Sequence, residues 1–149
     1  MTELQSKIKQ RSRFRKYGTN TLYVPLDKKT GVKLFPTKRL RDFAYNAQLK
    51  AYNAGIGPAL YDKFEFDDAT IKGWFYQLDH YHGCKFKTSK VYGLITQKAR
   101  IPTFYISLGL DEVKSTLNKI GLRKVANDCD FNVGFINRRL VCIDFGDYG

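Results

Sequence analysis

Hydrophobic and polar positions alternate along the first part of the chain, a pattern typical of half-exposed strands. Residues 12–26 alternate loosely, so we predict a pair of strands that turns near Gly18. A second turn over residues 27–31 leads into residues 32–35, a short strand that ends at Pro36. We therefore expect three short strands before residue 37.

After Thr37, a suitable N-cap residue, the pattern changes to helical spacing. Apolar residues recur every three or four positions until Gly55 and Gly57 end the pattern. One stripe of this helix should be buried. Its predicted members are Leu40, Phe43, Ala44, Ala47, Leu49 and Ala51.

The middle of the chain predicts several extended segments and a second helix. Residues 58–61 are expected to be extended, aromatic residues between positions 71 and 90 to supply strands, and residues 91–95 to form a buried strand. Residues 111–120 carry apolar residues on one face and predict a helix that ends at Gly121. Because strands and helices do not alternate regularly, the order favours an α+β fold over a doubly wound sheet.

An apolar hairpin closes the chain. Residues 132–136 predict one strand, residues 137–139 a turn, and residues 140–143 the returning strand. This pairing would bring Asn132 and Asp144 side by side, and Asp144 begins the sequence Asp-Phe-Gly.

Size and charge limit the organisation of the chain. With 149 residues, 43% of them hydrophobic, we expect a single domain over residues 1–149. The net charge of +12 is concentrated in residues 1–50, which hold 13 Lys and Arg against 3 acidic residues. The densest basic part runs from Lys7 to Lys16. It suggests contact with nucleic-acid phosphates or an acidic protein, or else a solvated arm or edge strand.

Several classes of protein are not indicated. Three cysteines without CxxC spacing suggest neither a disulfide framework nor a structural zinc site. Nothing near Met1 resembles a signal peptide, and no apolar run reaches the roughly 18 residues of a membrane span. We therefore expect no membrane partner and a reducing, cytoplasmic location.

Four segments of the chain resemble, in order, parts of protein-kinase-like proteins, especially the small divergent kinases that bacteriophages encode. Residues 18–35 resemble the first three strands, residues 38–61 the C-helix that follows them, and residues 91–99 the hinge strand. Residues 110–146 resemble the part from the catalytic loop to the DFG sequence, and NVGFINRRLVCIDFG within it is the strongest match.

This resemblance implies a two-part α+β fold. Residues 1–99 would form an N-lobe-like part, made of an antiparallel sheet and the C-helix. Residues 100–149 would form a truncated C-lobe-like part that ends at the DFG hairpin.

The resemblance also implies ATP as a cofactor. Lys33 would clamp the nucleotide phosphates from its strand, and Gly18 lies in the turn that would cover them. The C-helix of the family carries a glutamate that pairs with this lysine, whereas this helix has none. Asp42 is its acidic candidate, and Gln48 could make a neutral hydrogen bond. The ordinary alternatives are a solvent-facing lysine, a simple hairpin turn and an aspartate in the first turn of a helix.

Mg²⁺ is implied in the same way, with Asn132 and Asp144 as its ligands. The family's spacing between the catalytic aspartate and this asparagine leads here to Asn127. Asp128 would serve in a loop one residue shorter, and Asp130 is the runner-up. Three carboxylates in a small volume would repel unless a cation neutralised them. A solvated acidic turn is the alternative.

The expected function is that of a minimal kinase-like protein, of phage type, that binds ATP and Mg²⁺ and as an enzyme would transfer phosphate to a protein. The first alternative is an inactive pseudokinase-like module that binds and inhibits an acidic host protein. The second is a nucleic-acid-binding protein that uses Lys7 to Lys16. Phage origin would place any of them in the host cytoplasm.

Overall fold

The computed structural model describes residues 3–11, 16–17, 21–104 and 107–145, with residues 16–17 described by their backbone alone. The chain has an α+β fold with antiparallel strand pairing, as predicted. In order, the elements are α1 Glu3–Gln10, β1 Lys16–Tyr17, β2 Leu22–Pro25, β3 Thr30–Phe35, α2 Lys38–Asn53, β4 Leu60–Asp67, α3 Ala69–Trp74, β5 Lys90–Gln97, α4 Leu110–Lys119, α5 Arg123–Asp128, β6 Val133–Ile136 and β7 Arg139–Cys142.

The chain divides into two compact units. The first takes in positions 1–42 and 61–96, and the second takes in positions 43–60 and 97–149. This division differs from the expected boundary at residue 99 mainly because residues 43–60 belong to the second unit.

A five-stranded sheet organises the first unit, in the order β1-β2-β3-β5-β4. β2 pairs antiparallel with β1 and β3, and Tyr23 lies opposite Lys33 across the β2–β3 pair. The predicted pair of strands and the third strand are thus confirmed. Gly18, at the predicted turn of the first pair, lies outside the described residues.

Both ends of α2 follow from its sequence. The Thr37 hydroxyl accepts a hydrogen bond from the backbone N–H of Leu40 at 3.3 Å, which confirms the predicted N-cap. At the other end Gly55 adopts a φ of 81°, and the Ile56 N–H donates to the Ala51 carbonyl at 2.9 Å. This 6→1 bond after a left-handed residue is the Schellman arrangement, for which glycine is the favoured residue.

The buried stripe of α2 differs from the prediction at two positions. Leu40, Ala44, Ala47 and Ala51 are buried, but Phe43 and Leu49 are 38% and 36% exposed. Gln48 is fully buried instead, and its Nε2 donates to the Pro58 carbonyl at 3.0 Å. Gln48 is buried because positions 44, 48 and 51 lie on the same face of the helix. An amide side chain can be buried there when it has a hydrogen-bond partner.

The prediction that residues 71–90 supply strands before β5 is wrong. α3 is followed by two short 3₁₀ turns, Phe75–Gln77 and Asp79–Tyr81. The aromatic residues in this region suggested strands, because aromatic residues are common in strands. The buried positions nevertheless recur every three or four residues, which is the spacing of a helix. These positions are Ile71, Trp74, Phe75, Leu78 and Tyr81.

The basic segment begins within a helix, so the alternative of an arm or edge strand is wrong for residues 7–10. α1 buries Ile8, and its Gln5 donates to the Asp68 carboxylate at 2.9 Å. Lys9 forms an ion pair with the same carboxylate, with 3.0 Å between Nζ and Oδ2. Strand structure in this segment is found at Lys16–Tyr17, at the edge of the sheet.

The second unit has its own hydrophobic core, to which α4, β6 and β7 contribute. α4 confirms the predicted helix, and Gly121, at a φ of 86°, follows its end. α5 was not predicted, because it is short and starts without a side-chain cap. It buries Val125 and Ala126, and the core also includes Leu117, Val133 and Phe145. No helix in the described part of the chain combines the length and apolar character needed to cross a membrane.

The Asp68 carboxylate should make the first unit sensitive to acid. It caps α3 by accepting from the Ile71 N–H at 3.0 Å, in addition to its bonds with Gln5 and Lys9. Burial, the largest single influence, raises the pKa of Asp68, but these hydrogen bonds together outweigh burial and lower it. The charge therefore stabilises the fold above the usual pKa of about 3.9, and this contribution is lost as pH falls through the lowered value.

We predict that Asp68→Asn lowers the free energy of unfolding by about 2 kcal/mol at neutral pH, because charge-assisted hydrogen bonds are lost. Its stability should also fall less steeply than that of the wild type between about pH 5 and pH 2. Urea denaturation across this pH range measures both effects. Asp62→Asn, at an exposed position, is the control and should behave like the wild type. A variant curve parallel to the wild-type curve would contradict the role of the charge.

Candidate functional site

The β6–β7 hairpin turns through two residues, Asn137 and Arg138, rather than through the predicted three. Their φ angles are 49° and 69°, and Ile136 pairs with Arg139 directly across the turn. Positive φ at both central positions is typical of a type I′ turn, whose twist matches that of the strands. Arg139 thus belongs to β7, because this turn needs one residue fewer than expected.

The register of this hairpin brings Asn132 and Asp144 to its open end. Val133 pairs with Cys142, and the Ile143 N–H donates to the Asn132 carbonyl at 2.9 Å, one step beyond the last strand pair. Asp144 follows Ile143 directly, and the side chains of Asn132 and Asp144 are both partly exposed. An amide and a carboxylate group therefore lie at the same end of the hairpin.

The Asn132 amide is oriented by the end of α5. Its Nδ2 donates to the Asp128 carbonyl at 3.0 Å. Because the amide nitrogen makes this bond, Oδ1 is the atom with which Asn132 could coordinate a cation. The hydrogen bond also links Asn132 to Asp128, the first candidate for a catalytic base. Asp128 is the last residue of α5 and is exposed.

Asp144 is held by its neighbours in the chain. Phe145 is only 1% exposed and belongs to the core of the second unit. The Cys142 thiol contacts the Asp144 carbonyl, with 3.6 Å between Sγ and oxygen. The backbone on both sides of the Asp144 carboxylate is thus anchored, whereas Gly146 lies outside the described residues.

The second candidate base, Asp130, is neutralised within the protein. Lys114 on α4 lies 2.5 Å from it, measured between Nζ and Oδ1. The sequence did not predict the role of Lys114. Lys114 and Asp130 are separated by the end of α4, by α5 and by a turn, so their pairing follows no regular spacing in the sequence. Within the described residues, no three His, Cys, Asp or Glu side chains come together as a metal-binding group. The three neighbouring aspartates expected from the sequence thus form no such carboxylate cluster there.

The nucleotide-binding candidates of the first unit lie on β3 and α2. Lys33 is only 9% exposed, so the alternative of a solvent-facing lysine is wrong. Asp42 lies just beyond the first turn of α2, and it accepts hydrogen bonds from Lys38 Nζ at 2.6 Å and Arg41 Nε at 2.7 Å. These bonds, chiefly the one from Lys38, lower the pKa of Asp42. The predicted contact of Lys33 with phosphates stays a prediction, and Gly18 lies outside the described residues.

Part of the basic segment is already paired. Lys7 lies 3.7 Å from the Glu3 carboxylate, one helical turn away, and Lys9 binds Asp68. An exposed ion pair such as that of Lys7 with Glu3 contributes little to stability. The charge of such an exposed lysine can still attract a ligand. Arg13 and Arg15 lie outside the described residues, so binding of nucleic acid or of an acidic protein by this segment stays a prediction.

No protein-family model matches the chain, and neither a curated protein nor a solved structure is significantly similar to it.

We predict that Arg138→Gly raises the free energy of unfolding by about 0.5 kcal/mol. An L-residue other than glycine pays about 1–2 kcal/mol for a left-handed conformation, which exceeds the added chain entropy of glycine in the unfolded state. Urea denaturation measures the change. Arg139→Gly is the matched comparison. It should lower stability, because the Arg139 side chain donates to the Gly55 carbonyl at 3.1 Å. Equal losses in both variants would contradict the turn assignment.

Proposed function

We propose that this chain binds Mg²⁺ together with nucleotide phosphates through the open end of the β6–β7 hairpin, as a kinase-like protein does. The observation that carries the proposal is the hydrogen bond from the Ile143 N–H to the Asn132 carbonyl, because it extends the hairpin register to the two candidate ligands. In the kinase signature set, an asparagine and the DFG aspartate have this role.

The chemistry of these two side chains suits the ion. Mg²⁺ prefers oxygen ligands, keeps several waters, and is usually held by one or two carboxylates together with substrate phosphates. A site made of Asn132 Oδ1 and the Asp144 carboxylate would therefore need neither a second acidic residue nor a histidine. This agrees with the lack of a three-residue metal cluster in the described part of the chain.

The order of elements also supports the proposal. Three strands precede α2, two strands of the same sheet follow it, and helices lead to a hairpin that ends at Asp144-Phe145. The resemblance to protein-kinase-like proteins implies this order. A hairpin of the same register in an unrelated protein would not be preceded by this order of strands and helices.

We predict that Asp144→Asn weakens ATP binding in the presence of Mg²⁺ at least about tenfold, because a neutral amide is a poorer ligand for the ion. Isothermal titration with ATP and Mg²⁺, repeated with the metal chelated, measures the change. Asp62→Asn alters net charge equally at an exposed position outside the hairpin and should bind as the wild type does. No binding by the folded wild-type protein would reject the proposal.

Nucleotide binding without phosphoryl transfer is the second candidate function. The ion pair of Asp130 with Lys114 favours it, because a paired carboxylate is a weaker base candidate. The bonds of Asp42 with Lys38 and Arg41 favour it too, since they occupy the acidic residue of α2 that was expected to pair with Lys33. The protein would then act as a pseudokinase-like interaction module.

Asp128 distinguishes the two functions. In a transfer reaction the bond between the γ-phosphorus and the ADP oxygen breaks, a bond to the acceptor hydroxyl forms, and that hydroxyl's proton passes to the base. If Asp128 is this base, Asp128→Asn should lower the rate about 100-fold or more and change ATP affinity less than about twofold. Radiolabelled ATP and a mixture of acidic and basic peptides provide the assay. Transfer at the wild-type rate by the variant would exclude this role. ATP binding with no transfer by the wild type would favour the interaction module.

A further inference from the structure

A cavity lined by lysines lies in the first unit, beside the N-terminus of α2. Its volume is about 260 Å³, and its lining includes Lys38, Lys72, Lys85 and Lys87 but no acidic residue. We call it the lysine cavity. Four cations around one concave surface repel one another unless an anion or solvent compensates them.

Lys72 is the buried lysine of the lysine cavity. Its side chain is buried, and its Nζ donates to the carbonyls of Pro36, at 2.7 Å, and Lys90. The ammonium group also lies 5.2 Å from the centre of the Phe86 ring and 6.0 Å from that of Tyr92. These partners are all neutral, so they hold the group in place without cancelling its charge. Burial lowers the pKa of Lys72, and Asp67 opposes this shift only in part.

Lys85 and Lys87 supply exposed cations on either side of Phe86. The Phe86 ring packs among other aromatic rings, with centroids 6.4 Å from Phe75, 5.4 Å from Tyr76 and 5.6 Å from Tyr81. The segment that carries the two lysines is therefore anchored at its middle. Residues 80–110 contain five Lys and Arg and no acidic residue, and of these five Lys90 lies 3.8 Å from the Glu65 carboxylate.

The start of α2 adds to the positive potential. Thr37, its N-cap, and Lys38, its first residue, both line the cavity. The N-terminus of a 16-residue helix has a partial positive charge that favours anions. Lys38 itself is paired with Asp42, so its charge is offset. Lys72, Lys85 and Lys87 are the cations left to bind a ligand.

We propose that the lysine cavity binds phosphate groups of a nucleic-acid backbone. Lysines bind phosphate as point charges and need no base-specific geometry. The rings of Phe86 and Tyr92 are already contacted by Lys72, and Tyr92 also by Arg41, so phosphate contact rather than base stacking provides the affinity. The net charge of +12 attracts such a polyanion.

A pair of charge-matched variants tests this assignment. Lys85→Gln with Lys87→Gln removes two exposed cations of the cavity. Lys28→Gln with Lys29→Gln removes two exposed cations from the turn between β2 and β3, in the same unit, and neither lines the cavity. Both double variants reduce net charge equally. Circular dichroism and thermal unfolding verify that each is folded.

Binding is measured by fluorescence anisotropy with a labelled oligodeoxythymidylate of about 20 nucleotides, over a range of salt concentrations. The cavity variant should bind at least about tenfold more weakly at low salt, and its slope of log affinity against log salt should become shallower by about 1.4, for two lost phosphate contacts. The turn variant should stay within about twofold of the wild type. Equal losses in the two variants, or no binding by the wild type, would overturn the proposal.

Two further measurements identify the ligand. Inorganic phosphate and ATP, each at the concentration of oligonucleotide phosphate, should displace the oligonucleotide only weakly, because a chain of phosphates engages several lysines at once. Complete displacement by either would assign the cavity to a small phosphate ligand and overturn the choice of nucleic acid. Asp144→Asn should leave oligonucleotide binding unchanged, so this proposal can fail or hold independently of the proposed function.

Discussion

The antiparallel register of β6 and β7 is the constraint on which the second unit and its candidate site depend. Side chains alternate along a strand, so a slip by one residue would turn Val133 and Cys142 away from the core. It would also separate Asn132 from the residue that precedes Asp144. The two-residue turn fixes this register from one end, and the burial of Phe145 fixes it from the other.

The same hairpin also restricts which residues its strands can contain. A Cβ at Gly134 would lie 2.9 Å from the Ala99 side chain and 3.1 Å from the Arg100 carbonyl. Arg100 and Phe135 exchange two backbone hydrogen bonds of 2.9 Å, so the backbone before α4 approaches β6 closely at this point. Glycine is needed there because no other residue allows that approach. The stability of the core and the placement of Asn132 and Asp144 thus depend on one piece of backbone.

The two units differ in the groups that contact their charged side chains. In the first, Lys9 and Lys38 are balanced by carboxylates, whereas Lys72 is held by carbonyl groups and aromatic rings. The groups in direct contact with Lys72 are neutral, so these contacts do not cancel its positive charge. In the second, Lys114 neutralises Asp130.

Local sequence was sufficient for the elements whose signals are local. Thr37, Gly55, Gly121 and the apolar hairpin marked helix ends and strands correctly, because caps and turns involve residues close in the chain. It was insufficient for residues 71–81, where aromatic residues suggested strands although their spacing was helical, and for α5, which has no cap signal. Only tertiary packing made Gln48 a buried residue and Phe43 an exposed one.

The sequence by itself determined the α+β class, the hairpin and the two residues at its open end, since these follow from alternation and chain proximity. Tertiary structure decided which charges are compensated. Asp130 pairs with Lys114 and Asp68 pairs with Lys9, whereas Lys72 is held by the neutral carbonyls of Pro36 and Lys90, which do not cancel its charge. The partners in these contacts are separated by many residues along the chain. No local pattern specifies them, because electrostatic compensation depends on distance in space rather than on distance along the sequence.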